Sequence, residues 1–408
     1  MNVYEILKNR GFVYQCTDEE TLRQKLASGP LTLYVGYDAT ASSLHVGSLM
    51  TLMALKHLQQ AGHKVIALMG GATTLIGDPS DRSDLRKMLS SEEINENIRG
   101  IKQDIERFLD FEGDNPAVMV NNLEWLQGLN YLEFLRDYGS VFSVNRMVAQ
   151  ESVKLRMEKG LTFLEFNYSL LQAFDFMQLN KDQGCQLQLG GSDQWGNIVA
   201  GIDLTRRLNS QEVYGLTFPL VTTADGKKMG KSVDGAVWLS AEKLKAYDYY
   251  QYWINTDDRD VQRFLNFFTL LGLEEIDELC REGGAALNEA KRRLAWEATV
   301  LCRGEEAAKD AKAASEAAFL GKGDTDKLPT LELESNRLGE ATLMDLFVET
   351  KLCQSRGDVK RLVKNKGAYI NNVVIEDASQ KMGEEDFSNN ACLLRSGKKK
   401  YYRIVLKK

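Results

Sequence analysis

Several features that would assign a protein to a simple class are missing from this 408-residue chain. No run of about 18 apolar residues occurs, so the sequence predicts no membrane-spanning helix. The beginning of the chain is charged from Glu5 onward and contains no apolar segment of the kind that a secretory signal needs. None of the six cysteines forms a C-x-x-C pair, which argues against a disulfide scaffold and a cysteine-type zinc site. We therefore expect a cytoplasmic protein that stays in a reducing environment.

Histidine and glycine-rich nucleotide motifs are scarce as well. Only three histidines are present, His45, His57 and His63, so a histidine-rich metal site is excluded and we predict no resident metal. The sequence GKS at 230–232 matches the end of a P-loop, but that motif requires glycine where Asp225 stands. No G-x-G-x-x-G fingerprint occurs either. The sequence therefore supports neither a P-loop nor a dinucleotide-binding motif.

Charge is unevenly distributed along the chain. The net charge is −7, yet residues 341–408 contain 14 lysines and arginines against 8 acidic residues. A basic tail on an acidic body is typical of a protein whose tail meets a polyanion. A solvated basic face would have the same composition, so charge alone leaves both interpretations open.

Residues 30–240 alternate between strand-like and helix-like patterns. Apolar runs at 32–38, 64–71, 118–122 and 186–191 end in glycine or polar residues, and a helical pattern at 45–61 separates the first two. Strand–helix–strand spacing of this kind predicts a parallel sheet. In such sheets ligands bind at the carboxyl ends of the strands.

A predominantly helical region follows the predicted sheet. Ser240 is expected to cap the first of its helices, and 3.6-residue periodicity continues to about residue 320. Residues 321–329 have the composition of a linker. A last module that mixes helices with short strands begins near Thr342.

Two loops of the predicted sheet are suited to phosphate. A helix is expected to begin near His45, and its free N–H groups would attract an anion; Gly47 would let a flat group approach the backbone. A single histidine in a first helical turn is more often an ordinary surface residue. Further on, the glycine-containing segment 225–232 contains three lysines and is suited to a polyphosphate.

Two other segments place polar side chains where a ligand would bind. Asp78 could pair with an ammonium group, although an aspartate before proline commonly caps a turn. Tyr168, Gln172 and Asp175 are spaced i, i+4 and i+7, so they share one face of a helix that borders either solvent or a polar pocket. The glycine-rich polar segment 190–197 favours the pocket.

In this order, the motifs resemble those of class I aminoacyl-tRNA synthetases. HVGS at 45–48 is similar to the HIGH signature, and KMGKS at 228–232 is similar to KMSKS. Three further segments, at 34–38, 168–175 and 190–195, resemble the bacterial type of tyrosyl-tRNA synthetase. The resemblance extends over essentially the whole chain, and residues 342–408 resemble the small RNA-binding module of that family's tail.

The resemblance implies an activity and an organisation. It implies a tyrosine–tRNA ligase that forms tyrosyl-adenylate and pyrophosphate from L-tyrosine and ATP, then transfers tyrosine to the 3′ end of tRNA(Tyr). Mg²⁺ would accompany ATP, no tightly bound cofactor would be needed, and the enzyme would be a homodimer without membrane contact. The implied fold is a Rossmann-like α/β domain, an all-helical domain and a small α+β RNA-binding domain. The expected boundaries are 1–225 for the catalytic domain, 226–239 for the lysine loop, 240–320 for the helical domain, 321–341 for a linker and 342–408 for the tail.

Roles for individual residues are also implied by the resemblance. Tyr34 and Asp175 would bind the substrate phenol. The residues that would bind tyrosine are Tyr34, Asp78, Tyr168, Gln172, Asp175 and Gln194. The residues that would bind ATP are Gly36, Asp38, Thr40, His45, Gly47, Ser48, Gly191, Asp193, Lys228, Lys231 and Ser232. The residues that would stabilise the departing pyrophosphate are Thr40, His45, Lys228 and Lys231, with help from Arg86. The residues that would bind tRNA phosphates are Arg356, Lys360, Arg361, Lys364 and Lys366.

Two departures and two alternatives accompany this interpretation. Ser48 stands where the family more often has histidine or asparagine, and Gly230 replaces the serine of KMSKS, which should make the loop more flexible. A tryptophan-type synthetase is the nearer alternative, but an indole pocket has no use for Tyr34 paired with Asp175. A non-catalytic RNA-binding relative is the other, and the presence of Lys228, Lys231 and Asp175 argues against it.

Overall fold

The structure is a computed structural model that describes residues 2–79, 89–149, 151–158, 160–232, 235–320, 328–388, 390–397 and 400–407. The chain forms two compact units. The first unit contains Met1–Gly230, Val237–Lys243 and Thr256–Glu297. The second contains Lys231–Ala236, Leu244–Asn255 and Ala298–Lys408.

A six-stranded sheet is the centre of the first unit. Its strands are β1 (Gln15–Cys16), β2 (Thr32–Asp38), β3 (Lys64–Gly70), β4 (Val118–Asn121), β5 (Leu187–Gly191) and β6 (Tyr214–Phe218). The order across the sheet is β1-β6-β5-β2-β3-β4, and every neighbouring pair is parallel except the short β1 against β6. From β2 the chain proceeds to β3 and β4 on one side, whereas β5 and β6 lie on the other. The crevice between β2 and β5 is therefore the point where ligands are expected to bind.

The helices of the first unit cover this sheet and the segments beside it. They are α1 (Val3–Asn9), α2 (Glu19–Ser28), α3 (Leu49–Gln60), α4 (Gly71–Ile76), α5 (Ser91–Ile105), α6 (Leu123–Leu126), α7 (Tyr131–Asp137), α8 (Val144–Ala149), α9 (Glu151–Met157), α10 (Phe163–Phe166), α11 (Tyr168–Gln183), α12 (Trp195–Asn209), α14 (Val261–Phe268) and α15 (Leu273–Cys280). Short 3₁₀ turns at Val46–Ser48 and Ser192–Gln194 lead into α3 and α12. Phe176 of α11 packs on Tyr34 of β2, with ring centroids 5.4 Å apart.

Arg10 ties the segment around α14 to the beginning of the chain. Its guanidinium, which is buried, donates to the carbonyl oxygens of Asn266 at 2.9 Å and Thr269 at 3.1 Å, and also to that of Leu271. Carbonyls at the end of a helix have no partner within the helix, so a buried cation there satisfies several at once. Residues 256–297 therefore belong to the same compact unit as the sheet.

The second unit contains a sheet of its own. Its strands are β9 (Thr330–Glu334), β10 (Ala368–Ile370), β11 (Val373–Val374), β12 (Ala391–Ser396) and β13 (Lys400–Lys407), in the order β11-β10-β12-β13-β9. Its helices are α13 (Ala246–Ile254), α17 (Glu305–Leu320), α18 (Leu343–Glu349) and α19 (Arg356–Lys364). Helix α16 (Leu287–Arg303) spans the division between the units, and β7 (Lys231–Ser232) pairs with β8 (Gly235–Ala236). Phe347, Leu394 and Ile404 are fully buried in the core of the tail.

The predicted fold class is confirmed. The four predicted strands form β2, β3, β4 and β5, and the C-terminal module is a mixed α+β unit. The helical region 240–320 contributes to both compact units, and the predicted domain boundaries stay predictions. Residues 321–327 of the predicted linker lie outside the described residues. Within the part of the chain that the structure describes, no helix is long and apolar enough to cross a membrane.

One predicted element boundary is wrong. Ser240 does not cap a helix, because α13 begins only at Ala246 and Lys245 occupies the position before it. Instead the Ser240 backbone N–H donates to the hydroxyl oxygen of Ser43 at 3.0 Å. The residue is an efficient cap in isolation, but a tertiary contact within the first unit holds it elsewhere.

Candidate active site

A cavity of about 320 Å³ opens at the carboxyl ends of β2 and β5. It lies at the crevice between β2 and β5, where the strand order predicts that ligands bind. Predicted site residues that line it are Tyr34, Gly36, Asp38, His45, Gly47, Ser48, Asp78, Tyr168, Gln172, Asp175, Gly191, Asp193, Gln194 and Lys228. The folded chain therefore brings together residues from six separate segments of the sequence.

Two buried polar groups border one end of this cavity. Asp175 is 1% exposed, and its carboxylate accepts hydrogen bonds from the Trp125 indole at 2.8 Å and the Asn122 amide at 3.0 Å. Burial raises the pKa of Asp175 to about 7, with a smaller contribution from the charge of Asp38, while the two hydrogen bonds act in the opposite direction. The Tyr34 hydroxyl is buried and has no hydrogen-bond partner among the described residues. Burial, with the Asp175 charge, raises its pKa well above the usual value.

Asp38 organises the middle of the cavity. Its carboxylate accepts from the Thr73 hydroxyl at 2.9 Å and from the Tyr168 hydroxyl at 3.2 Å. The Asn122 amide also donates to the Thr73 oxygen at 3.1 Å. The carboxylates Asp38 and Asp175 are thus linked through neutral donors, which fixes both side chains before any ligand arrives.

A second polar network borders the loop after β5. The Gln194 amide donates to Asp78 at 2.8 Å and to Asp193 at 2.9 Å. The Asn197 amide donates to the side-chain oxygens of Gln172 at 3.0 Å and Gln194 at 3.2 Å. Several acceptor oxygens therefore converge near the cavity, an arrangement that suits a cationic ammonium group.

His45, which also lines the cavity, has a defined orientation. Its Nδ1 accepts from the Gly47 N–H at 3.0 Å, so the ring proton is on Nε2, which can donate to an anion. A Cβ at Gly47 would lie 2.6 Å from the His45 ring. Gly230 has φ +118°, and a Cβ there would lie 2.9 Å from the same ring. Glycine at both positions therefore lets the His45 ring pack closely against the backbone.

The hairpin that precedes Gly230 is anchored to the start of α14. Its backbone closes with a hydrogen bond from Thr223 N–H to the Lys227 carbonyl at 2.8 Å. The Ala224 N–H donates to the buried carboxylate of Asp260 at 2.7 Å, and Arg259 forms an ion pair with Asp225 at 2.9 Å. These contacts hold the exposed Lys228 at the cavity.

Four predicted residues lie elsewhere or cannot be placed. Thr40 lies on the exposed turn after β2 and not in the cavity wall. Arg86 lies outside the described residues, and the side chains of Lys231 and Ser232 are not described. Their assigned roles stay predictions.

Sequence reasoning missed the residues that support Asp175. Asn122 and Trp125 donate hydrogen bonds to Asp175, and Thr73 donates one to Asp38. None of these three residues is predicted from the sequence. Asn122 directly follows β4, at the sheet edge where strands end in ligand loops, and that position was the available signal. Gln188 of β5 also lines the cavity and was missed because it lies within an apolar run.

The five predicted tRNA-binding cations all lie on or just after α19 and are all exposed. Arg356 pairs with Asp345 at 2.5 Å, and Arg361 pairs with Asp358. Lys366 follows the helix with φ +54°. Within the second unit, α19 and the turn after it therefore form an exposed basic surface.

Comparison with known proteins identifies the family. Residues 26–320 match the family model described as tRNA synthetases class I (W and Y), and residues 322–404 match the Tyrosine--tRNA ligase SYY-like C-terminal domain. The chain belongs to the class I tRNA synthetases (W and Y). The expected family is thereby confirmed.

Curated relatives match this synthetase over its full length. A tyrosine--tRNA ligase of Caldanaerobacter subterraneus subsp. tengcongensis is 47% identical over 407 residues, covering 100% of both chains. One from Desulfosudis oleivorans is 48% identical over 433 residues, again covering 100% of each. The crystal structure of a C-terminally truncated Aspergillus nidulans mitochondrial tyrosyl-tRNA synthetase has a TM-score of 0.71 at 28% identity and covers 78% of this chain and 94% of its own.

Proposed function

We propose that this class I synthetase activates L-tyrosine with ATP and transfers it to tRNA(Tyr). The observation that carries the proposal is the pair of buried polar groups at one end of the cavity, the Tyr34 hydroxyl and the Asp175 carboxylate. A phenol is both a donor and an acceptor, so it can donate to Asp175 and accept from Tyr34. An unsatisfied buried hydroxyl is unfavourable, and the substrate phenol supplies its missing partner.

The rest of tyrosine extends from this pair toward the loops. Its ammonium group meets Asp78, Tyr168 and Gln172, whose oxygens line the same cavity. Asp38, Asp193 and Gln194 line the region toward the ribose, and Gln194 also borders the amino acid. Gly36, Gly47 and Gly191 let the nucleotide approach the backbone closely.

Adenylate formation requires no protein nucleophile. An oxygen of the tyrosine carboxylate attacks the α-phosphorus of ATP, the bond to the β-phosphate oxygen breaks, and pyrophosphate leaves with the bonding electrons. His45 and Lys228, with Thr40, Lys231 and Arg86 in the roles predicted above, stabilise the charge on the departing phosphates, and Ser232 binds ATP beside them. The rate then comes from positioning the two substrates and from this charge stabilisation.

ATP enters as its magnesium complex. Mg²⁺ bound to substrate phosphates keeps several of its waters and needs few protein ligands. It is therefore part of the substrate in this proposal, and no tightly bound cofactor is required.

Transfer to tRNA completes the reaction. A terminal ribose hydroxyl of the tRNA attacks the carbonyl carbon of tyrosyl-adenylate and releases AMP. The cations of α19 and the turn after it, Arg356, Lys360, Arg361, Lys364 and Lys366, bind backbone phosphates of the tRNA, a contact that is driven by release of counterions.

A homodimer in the cytoplasm completes the proposal. Leu132 and Phe163 are 74% and 70% exposed on α7 and α10, and Tyr131 and Val144 add further exposed apolar surface. Single exposed apolar side chains are ordinary on a monomer, but several of them within residues 131–163 suit an interface with a second copy of the chain. Sedimentation of the wild type and of Leu132→Glu tests this. The wild type should have the mass of a dimer and the variant a lower mass, and a variant with the same mass as the wild type would contradict the proposed interface.

The experiment that tests the proposed activity is ATP–pyrophosphate exchange with each of the twenty amino acids. We expect exchange that depends on tyrosine and is weak with phenylalanine and tryptophan. Exchange that depends on tryptophan would support the alternative substrate. No exchange with any amino acid, together with tRNA binding, would support a non-catalytic RNA-binding protein.

A further inference from the structure

We propose that one face of α5 is a template that positions the phosphate-binding loop 39–45, with Asn97, Gly100 and Asp104 as positioning residues. The inference rests on the proposed function, because it assumes that Thr40 and His45 contact the phosphates of ATP. None of the three residues lines the cavity, so each would act through the loop.

The three residues lie on one strip of the helix. Positions 97, 100 and 104 are spaced i, i+3 and i+7, which places them above one another on a helix surface. The adjacent strip consists of Ile101 and Ile105, which are 1% and 0% exposed. Helix α5 is therefore held against the core, and its loop-facing strip is a rigid support.

Each residue of the strip contacts the loop in a different way. The Asn97 amide donates to the Ala39 carbonyl at 2.8 Å. Gly100 lies so close to the Ser42 carbonyl that a methyl group there would overlap its oxygen. The fully buried Asp104 carboxylate accepts from the Ser43 hydroxyl at 2.6 Å and from the Leu44 N–H at 2.9 Å.

These contacts bracket the two residues that are proposed to meet phosphate. Thr40 directly follows Ala39, whose N–H is in turn held by the Thr74 hydroxyl at 2.7 Å. His45 directly follows Leu44. Thr40 itself is exposed, whereas Ser43 and Leu44 are buried, so the strip holds the loop on both sides of its exposed part.

Asp104 also connects the phosphate-binding loop with residues 237–239. Arg107 pairs with Asp104 at 2.7 Å and donates to the Leu239 carbonyl at 3.0 Å. The Leu239 N–H donates to the Leu44 carbonyl at 2.9 Å, and the Val46 N–H donates to Val237 at 2.9 Å. The same carboxylate thus stabilises the segments before and beside His45.

A misplaced phosphate-binding loop should slow adenylate formation without weakening tyrosine binding, because the phenol end is formed by other elements. Asn97→Ala removes one anchor of the loop. Gly100→Ala displaces the loop, and the gain in helix propensity offsets part of the cost of that overlap. Asn95→Ala is the matched control, since Asn95 is an exposed asparagine of the same helix.

The experiment measures single-turnover adenylate formation, tyrosine affinity and thermal stability for these variants and for His45→Ala. We expect Asn97→Ala and Gly100→Ala to reduce the rate about tenfold or more at unchanged tyrosine Kd, and Asn95→Ala to behave as wild type. If His45→Ala slows the reaction but Asn97→Ala and Gly100→Ala do not, the template is wrong. A parallel loss of tyrosine affinity would also overturn it.

A different result would identify a failure of the proposed function. If His45→Ala leaves adenylate formation unchanged, the phosphate role of His45 is wrong, and the inference that rests on it is rejected with it.

Discussion

The phenol end of the cavity and helix α19 of the tail are both built from charged and polar side chains, but in opposite ways. Asp175 and Tyr34 are each 1% exposed, and Asp175 is held by two hydrogen bonds. The Arg361 side chain is 74% exposed and pairs with the partly exposed carboxylate of Asp358. Buried groups that lose a partner change free energies strongly, whereas exposed charges act weakly and depend on salt. We expect steep effects on specificity in the cavity and graded effects in the tail.

The largest effect is expected at Asp175. Asp175→Asn removes the charge that accepts the phenol hydroxyl and disturbs the Trp125 and Asn122 contacts. Tyrosine activation should fall by about 4 kcal/mol, on the order of 10³-fold in kcat/KM. Pyrophosphate exchange measures this, with phenylalanine as the comparison substrate. An equal loss for both amino acids would contradict a role in reading the hydroxyl.

Lys228 tests whether exposure alone decides the size of an effect. It is exposed like the tail lysines but lines the cavity, and Lys227 beside it does not. Lys228→Ala should lower the rate of adenylate formation about 100-fold, because a contact of about 3 kcal/mol to the departing phosphates is lost. Lys227→Ala is the matched control. Similar rates for the two variants in a single-turnover assay would remove Lys228 from its proposed role.

The tail should respond more weakly and through salt. Lys360→Ala combined with Lys364→Ala should weaken tRNA binding and reduce the slope of log affinity against log salt by roughly 1 to 2. Amino acid activation should stay unchanged. Lys407→Ala is the control, because Lys407 lies beside Glu332 at 3.4 Å and Glu334 at 3.7 Å, which already offset its charge. A salt slope that is the same in the double variant and in wild type would contradict the role of α19.

The last effect is on stability instead of activity and concerns pH. Burial lowers the pKa of His57 from 6.5 to about 4, and all three histidines lie in the first unit. The unfolded chain therefore takes up a proton between these pH values that the folded protein does not, so stability present above pH 6.5 is lost as pH falls toward 4. The loss is at most about 3 kcal/mol.

Thermal unfolding at several pH values tests this against His57→Leu. The variant should lose less stability than wild type between pH 6.5 and 4. Curves that fall in parallel would mean that the carboxylates alone cause the acid sensitivity.

Much of the first unit could be predicted from local sequence patterns. The apolar runs that end in Asp38, Gly70 and Gly191 are strands, and the loops after them form the cavity. Strand β6 was missed because Gly215 interrupts its pattern. A side chain there would overlap Ile198 of α12, so the glycine reflects a tertiary contact that no local pattern shows.

The support around the site could not be predicted for the same reason. Trp125 and Asp175 are separated by 50 residues, and Asn97 and Ala39 by 58. Motif spacing identifies residues that meet a ligand, because the ligand constrains their types. Residues that hold those side chains or loops in place become visible only when the fold brings them together.

The phenol pair is the central claim, and Tyr34→Phe tests it most directly. A site built to bind a hydroxyl rejects an analogue without it, an effect for which tyrosyl-tRNA synthetases are the standard example. The measurement is kcat/KM in pyrophosphate exchange for tyrosine and phenylalanine, with Gln172→Ala as a control that should impair both equally. Tyr34→Phe should lower the tyrosine-to-phenylalanine ratio about tenfold and leave phenylalanine nearly unchanged. A ratio equal to that of wild type would show that the hydroxyl is recognised elsewhere.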